Sequence, residues 1–84
     1  MSSTQSLLHF CALGDLKGIM ALKIESDPDL DIGDYDGRTA LHLSCSENYF
    51  RIVEYLIMNG VKNINPKDRW GNTPLDDAIR GNYE

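Results

Sequence analysis

Short blocks of apolar residues at helical spacing alternate along this chain with clusters of Asp, Asn, Gly and Pro. From Phe50 to Met58, residues Ile52, Val53, Leu56 and Ile57 fall on one face and Arg51 and Glu54 on the other, which predicts an amphipathic helix. Asn59-Gly60 predicts a left-handed cap at its end. A shorter helix is predicted from about Ala40 to Ser46, with a turn over residues 47–49 between the two. Neither helix can bury its apolar stripe alone, so helix pairs must stack on one another.

Comparing the chain with itself shows what stacks. At an offset of 34 residues, Asp34, Gly37, Thr39 and Leu41 lie over Asp68, Gly71, Thr73 and Leu75. The same offset places Leu7 under Leu41, Cys11 under Cys45, Ile19 under Val53, Leu22 under Leu56, and Gly14 under Asn48 and Asn82. The expected architecture is an all-α solenoid of helix-turn-helix pairs with protruding β-turn fingers. It forms one array over residues 1–84, with a degenerate first repeat at 5–33, a second at 34–67 and a partial third at 68–84.

The repeated spacings have direct mechanical readings. In Asp-x-x-Gly, the Asp side chain accepts hydrogen bonds from the backbone just ahead of it and Gly supplies positive φ, which makes a tight turn. Thr39 and Thr73 then stand as helix N-caps, and Pro74 sits where the first helical residue has no intrahelical acceptor to lose. Asp76 and Asp77 follow in the first turn, at the positive end of the helix dipole. Asn48 takes a position that Gly fills in the first repeat, which Asn tolerates in the left-handed conformation.

Composition narrows the partners. Thirteen acidic against eight basic side chains give a net charge of −5, which disfavours phosphate backbones and anionic lipid surfaces; neither nucleic acid nor membrane is an expected partner. No stretch approaches the ~18 apolar residues of a membrane span. Two cysteines are too few for a disulfide scaffold and fit a reducing, cytoplasmic setting. Met1 with a polar leader reads as a true N-terminus, while Tyr83-Glu84 stops at the start of a second helix.

His9, Cys11, His42 and Cys45 invite a tetrahedral metal site. The repeat argues against it, because Cys11 and Cys45 are equivalent positions in stacked helices whose axes run ~8–10 Å apart. They read instead as small core residues, and Cys45 as a buried, inert thiol. His42 has no nucleophile placed for activation, so catalytic residues, metal and cofactor are all expected to be absent. Asp27, Asp29, Asp31, Asp34 and Asp36 cluster without the closing Glu of a calcium loop and read as a solvated linker.

The strings Asp-x-x-Gly-x-Thr-Ala-Leu-His at 34–42 and Ile-Val-x-x-Leu-Ile-x-x-Gly at 52–60 resemble the ankyrin repeat, and the resemblance covers about Ser6 to Glu84. Ala40 and Asp76 depart from the family's Pro and His, and one extra residue within 61–65 stretches the period from about 33 to 34. A finer resemblance is carried by Leu7-Leu8 with Gly14-Asp15, by Asp34-Tyr35-Asp36 ahead of Arg38 to His42, and by Asn65 to Asp76. It is to the ankyrin segment that follows the catalytic domain of animal-type glutaminases; similar repeats occur in ankyrin tails of some asparaginases and plant potassium channels. That resemblance implies an active site in a separate upstream domain, and a mitochondrial location as the alternative to the cytoplasm.

The ankyrin resemblance implies a non-catalytic scaffold that binds a protein partner through its fingers and the concave face of its first helices. Those positions are Tyr35, Asp36 and Arg38 on the second finger, Ser46 and Glu47 on its helix, and Arg69, Trp70, Asn72, Asp77 and Arg80 in the third repeat. Trp70 has two readings: a binding anchor, or a ring laid back over the neighbouring finger and buried. Leu75, Ala78 and Ile79 are expected to need cover from further repeats or a partner chain. The alternative reading is a regulatory or assembly tail of a larger enzyme or channel.

Overall fold

The computed structural model describes residues 3–80, and of Ser3, Thr4 and Arg80 the backbone alone. Its elements are α1 (Ser3–Leu13), α2 (Leu16–Ser26), α3 (Ala40–Ser46), α4 (Phe50–Met58) and α5 (Pro74–Arg80), with no strand among the described residues. Helix α1 packs on α2 and α3 on α4, while α1, α3 and α5 lie side by side in one row. This is the expected stack of helix pairs, and α3 and α4 begin and end where the apolar pattern places them.

The turn inside each pair is built the same way twice. Asp15 N–H donates to the Phe10 carbonyl at 2.9 Å, and 34 residues on, Tyr49 N–H donates to the Ser44 carbonyl at 2.9 Å. Each bond closes around a residue at positive φ, Gly14 at 75° and Asn48 at 63°. Glycine is required at the first of these for a second reason: a Cβ there would stand 2.8 Å from Tyr49 Cζ, inside the ring that packs over the turn. Asp15 then caps α2, its carboxylate accepting Gly18 N–H at 3.0 Å. At the end of α4 the positive φ falls on Gly60 alone, with Asn59 at −116°, and Val61 N–H closes the helix on the Leu56 carbonyl at 3.2 Å.

Leu7, Leu8, Cys11, Ile19, Leu30, Ala40, Leu41, Ile52 and Leu56 form one buried cluster that runs through the first two pairs. Fully burying a Leu or Ile side chain such as Leu7, Ile19 or Leu56 contributes about 1.5–3 kcal/mol, so this spine outweighs any single polar contact. Two expectations are corrected at its edge. Ile57 is exposed, and Cys45 and Val53 are half-buried, because they face an open cleft of about 260 Å³ where no described element follows α5.

Candidate partner-binding surface

Two fingers, residues 34–38 and 68–72, project from the row of first helices, and their backbones are copies of one another. Asp34 Oδ1 accepts the N–H groups of Asp36 at 2.9 Å and Arg38 at 3.0 Å, and Gly37 N–H donates to the Asp34 carbonyl at 2.9 Å. In the next finger, Asp68 Oδ1 accepts from Trp70 and Asn72, both at 2.9 Å, and Gly71 N–H donates to the Asp68 carbonyl at 2.9 Å. Gly37 and Gly71 sit at φ 74° and 81°, the left-handed geometry that the turn imposes. Each finger is therefore rigid at its root.

Five contacts tie the second repeat to the third at the fingers. Arg69 N–H donates to the Asp36 carbonyl at 2.8 Å and its guanidinium to Asp36 Oδ1 at 3.0 Å. Arg38 reaches forward with both prongs, Nη1 to Asp68 Oδ2 and Nη2 to Asp77 Oδ2, each at 3.0 Å. His42 Nε2 lies 2.7 Å from the Asn72 carbonyl. The finger at 68–72, the third finger by repeat number, is thus held from the side, from below and through its own backbone.

Burial works to raise the Asp68 pKa, but the Asn72 and Trp70 N–H groups, with His42 and Arg38 nearby, outweigh it and hold the carboxyl below its usual range. Asp68 stays ionised, which suits its role as acceptor for both the turn and Arg38. At the opposite side of α3, burial pushes the Cys11 thiol up to about 11 against a smaller opposing effect of the Ser44 hydroxyl. The Cys45 thiol is also raised, by burial first and by the Asp77 carboxylate second.

Of the ten residues expected at the surface, Tyr35 is 96% exposed and Trp70 61%. The Trp70 ring is not buried against its neighbour; Arg69 Cζ lies over it at 5.3 Å from the centroid, a cation–π contact. Arg69 and Glu47 are exposed, while Asp36, Ser46 and Asn72 are half-buried. Asp77, expected on the open helix face, is buried with its side chain 4% exposed, and half-buried Arg38 is committed to it. These two brace the surface instead of presenting it. The Arg80 side chain lies outside the described residues.

Asp31, read from the sequence as part of a solvated acidic linker, instead carries a link of the same kind. Its carboxylate accepts the N–H of Lys62 at 3.0 Å and of Asn63 at 3.0 Å, fastening the strap that leads into the third finger. The available signal was the paired turn residues Asp29/Asp31 and Asn63/Asn65, again 34 apart; each pair closes its own turn, at 2.9 and 3.0 Å. At the far edge, Leu75 and Ile79 stand 64% and 68% exposed, as their lack of a covering element led one to expect.

The family model for ankyrin repeats in three copies matches residues 5–84. The mouse liver isoform of glutaminase, a mitochondrial protein, is 40% identical over 78 residues, 93% of this chain and 13% of that protein. A putative glutaminase of Caenorhabditis elegans is 36% identical over 86% of this chain and 12% of its own length. Serine/threonine-protein kinase 12 of Arabidopsis thaliana is 41% identical over 87% of this chain and 16% of its own length. The chain thus spans only about an eighth of the length of the first of these relatives. With its paired helices, hydrogen-bonded fingers and 34-residue period, the chain belongs to the ankyrin-repeat family.

Proposed function

We propose that this segment is a protein-interaction scaffold whose partner lies across the finger tips. Tyr35 and Trp70 serve as its anchors, with Asp36, Arg69 and Asn72 as polar contacts beside them. Ser46, Glu47 and Arg80 extend the surface along the first helices, and Arg38 and Asp77 act from beneath as braces. The ankyrin repeat is a non-catalytic fold, so the reading needs no reacting group within the chain. What carries it is the combination of two exposed aromatic tips on turns whose roots are fully hydrogen-bonded, since a rigid aromatic gives contact area at little ordering cost.

The test is a Tyr35→Ala, Trp70→Ala double variant in the full-length protein, compared with the parent for capture of proteins from its own cells. Loss of a partner at unchanged thermal stability supports the reading; full retention of every partner by the folded variant removes the finger tips from consideration.

A second reading is favoured by the relatives. In them the matching segment is a small part of a much longer protein, twice a glutaminase. On this reading the array is an assembly or regulatory tail of a larger enzyme, and the partner is another part of that assembly. Cover for Leu75 and Ile79 would come from the same source or from further repeats. Location follows from this choice, cytoplasmic for a free scaffold and mitochondrial for a glutaminase-like chain. The mass of the native polypeptide, with its fractionation between cytosol and mitochondria, separates the two.

A further inference from the structure

The end of α4 carries a chemical feature that neither the fingers nor the core explains. Asn59 is exposed and is followed by Gly60, the one Asn-Gly step in the sequence. We propose that Asn59 is the site of a spontaneous covalent change, cyclisation to a succinimide and opening to aspartate or isoaspartate, which loosens the strap leading to the third finger.

The chemistry needs only water. The Gly60 nitrogen attacks Asn59 Cγ and gives up its hydrogen; the side-chain amide leaves as ammonia, carrying that proton, and a five-membered imide remains. Water then adds to either imide carbonyl. One opening leaves an aspartate in place of the asparagine with the original backbone, and the other routes the backbone through the side chain.

Gly60 makes the attack easy because it has no Cβ to shield its nitrogen. The surroundings are equally open: a Cβ built at Gly60 would meet only Leu30 Cδ1, at 3.9 Å. Asn59 has φ −116° and ψ 18°, so ψ must rotate before the nitrogen can reach Cγ. That rotation breaks two bonds at the C-terminal end of α4, Asn59 Nδ2–H to the Tyr55 carbonyl at 2.8 Å and Val61 N–H to the Leu56 carbonyl at 3.2 Å. No interior helix bond is broken.

The other described asparagines are held differently. Asn72 precedes Thr73, and its carbonyl is fixed by both His42 and Asp68 N–H. Asn63 precedes Ile64 and spends Oδ1 on Asn65 N–H and its own N–H on Asp31. Asn48 precedes Tyr49, whose N–H is bonded to Ser44. Asn65 precedes Pro66, which has no N–H to lose.

The product disturbs what Asn59 supported. A carboxylate cannot donate to the Tyr55 carbonyl, and it places negative charge at the negative end of the α4 dipole. The isoaspartyl form also adds a main-chain carbon just before Val61, which packs on the core, and before Lys62 and Asn63, whose N–H groups dock on Asp31.

The full chain is incubated folded at neutral pH and 37 °C, and each asparagine is followed by peptide mapping with isoaspartyl detection. Conversion at Asn59 at least about tenfold faster than at Asn48, Asn63 or Asn72 is expected, because only its successor lacks a shielding Cβ. It should be accompanied by faster amide hydrogen exchange at Lys62 and Asn63 in the converted fraction. Conversion at Asn59 no faster than at those residues overturns the proposal, and so does fast conversion without any change at Lys62 and Asn63. Asn59→Gln, which keeps the amide donor and forms the larger ring far more slowly, should abolish both effects; persistence of the exchange change in that variant would equally overturn it.

Discussion

His42 joins two repeats through a single proton: Nδ1 accepts Thr39 N–H at 3.0 Å, so Nε2 carries the hydrogen and donates it to the Asn72 carbonyl at 2.7 Å. One imidazole thereby caps α3 and pins the next finger. Thr73 and Asp76 form the corresponding cap on α5, with Thr73 N–H on Asp76 Oδ2 at 3.0 Å and Asp76 N–H on Thr73 Oγ1 at 3.2 Å. The carboxylate fills the capping half of the histidine's role but has no N–H to send onward.

Replacing His42 by Ala strands Thr39 N–H in a buried setting and removes the tie to Asn72, while leaving a void where a fully buried ring stood. A loss of about 2–4 kcal/mol is expected from the cap, the hydrogen bond and the cavity together. The measurement is the urea midpoint at unchanged slope, since two-state behaviour must survive for the figure to apply. His42→Gln, which retains one donor, should recover part of the loss.

The helices were legible in the sequence because period and capping agree locally. Phe50–Met58 has its stripe, and Thr39 and Thr73 mark their starts without reference to anything distant. The finger roots were legible for the same reason, since Asp34 and Asp68 bond through Oδ1 to their own turns' backbones. Arg38 and Asp77 were not, because the contact that hides them spans 39 residues and nothing in either segment announces it. Exposure at Cys45 and Ile57 was missed for a related reason. A repeat pattern states which face packs on a neighbour, and it does so whether or not that neighbour is present.

The brace itself can be tested from the Asp77 side. Asp77→Ala leaves Arg38 with Asp68 as its remaining partner, so the guanidinium is still neutralised and the cost should be moderate, about 1–2 kcal/mol. Arg38→Ala is expected to be the worse of the two, because it takes the cation away from two buried carboxylates at once. Equilibrium unfolding of both single variants and the double variant gives the coupling directly. An additive double variant would mean that the ion pair contributes nothing beyond its separate parts.

Thiol reactivity should separate the two cysteines by their surroundings. Cys11 is fully buried with its pKa pushed up to about 11, so at pH 8 it should label only at the rate of unfolding. Cys45 is half-buried at the open cleft and should label in the native state, slowly, because burial and then Asp77 disfavour its thiolate. Pulsed alkylation read by mass spectrometry is expected to give one modified species first, at Cys45. Asp77→Asn should speed that reaction and leave Cys11 protected.

Acid should unfold the array partly through Asp68. Its folded pKa is depressed, so the group favours the folded state wherever it is ionised in both states, which is above the ordinary carboxylate value of about 3.9. As pH falls below that value, the unfolded chain takes up the proton first and the contribution shrinks; it is gone once pH passes below the folded pKa. Asp68→Asn keeps an oxygen to accept from Trp70 and Asn72 N–H but removes the charge that faces Arg38. The parent should therefore be the more stable at pH 7, by a margin that is flat down to about pH 4 and narrows below it. Urea midpoints for both proteins across that range decide the matter. A margin that stayed constant through acid pH would remove the carboxylate's charge from the account.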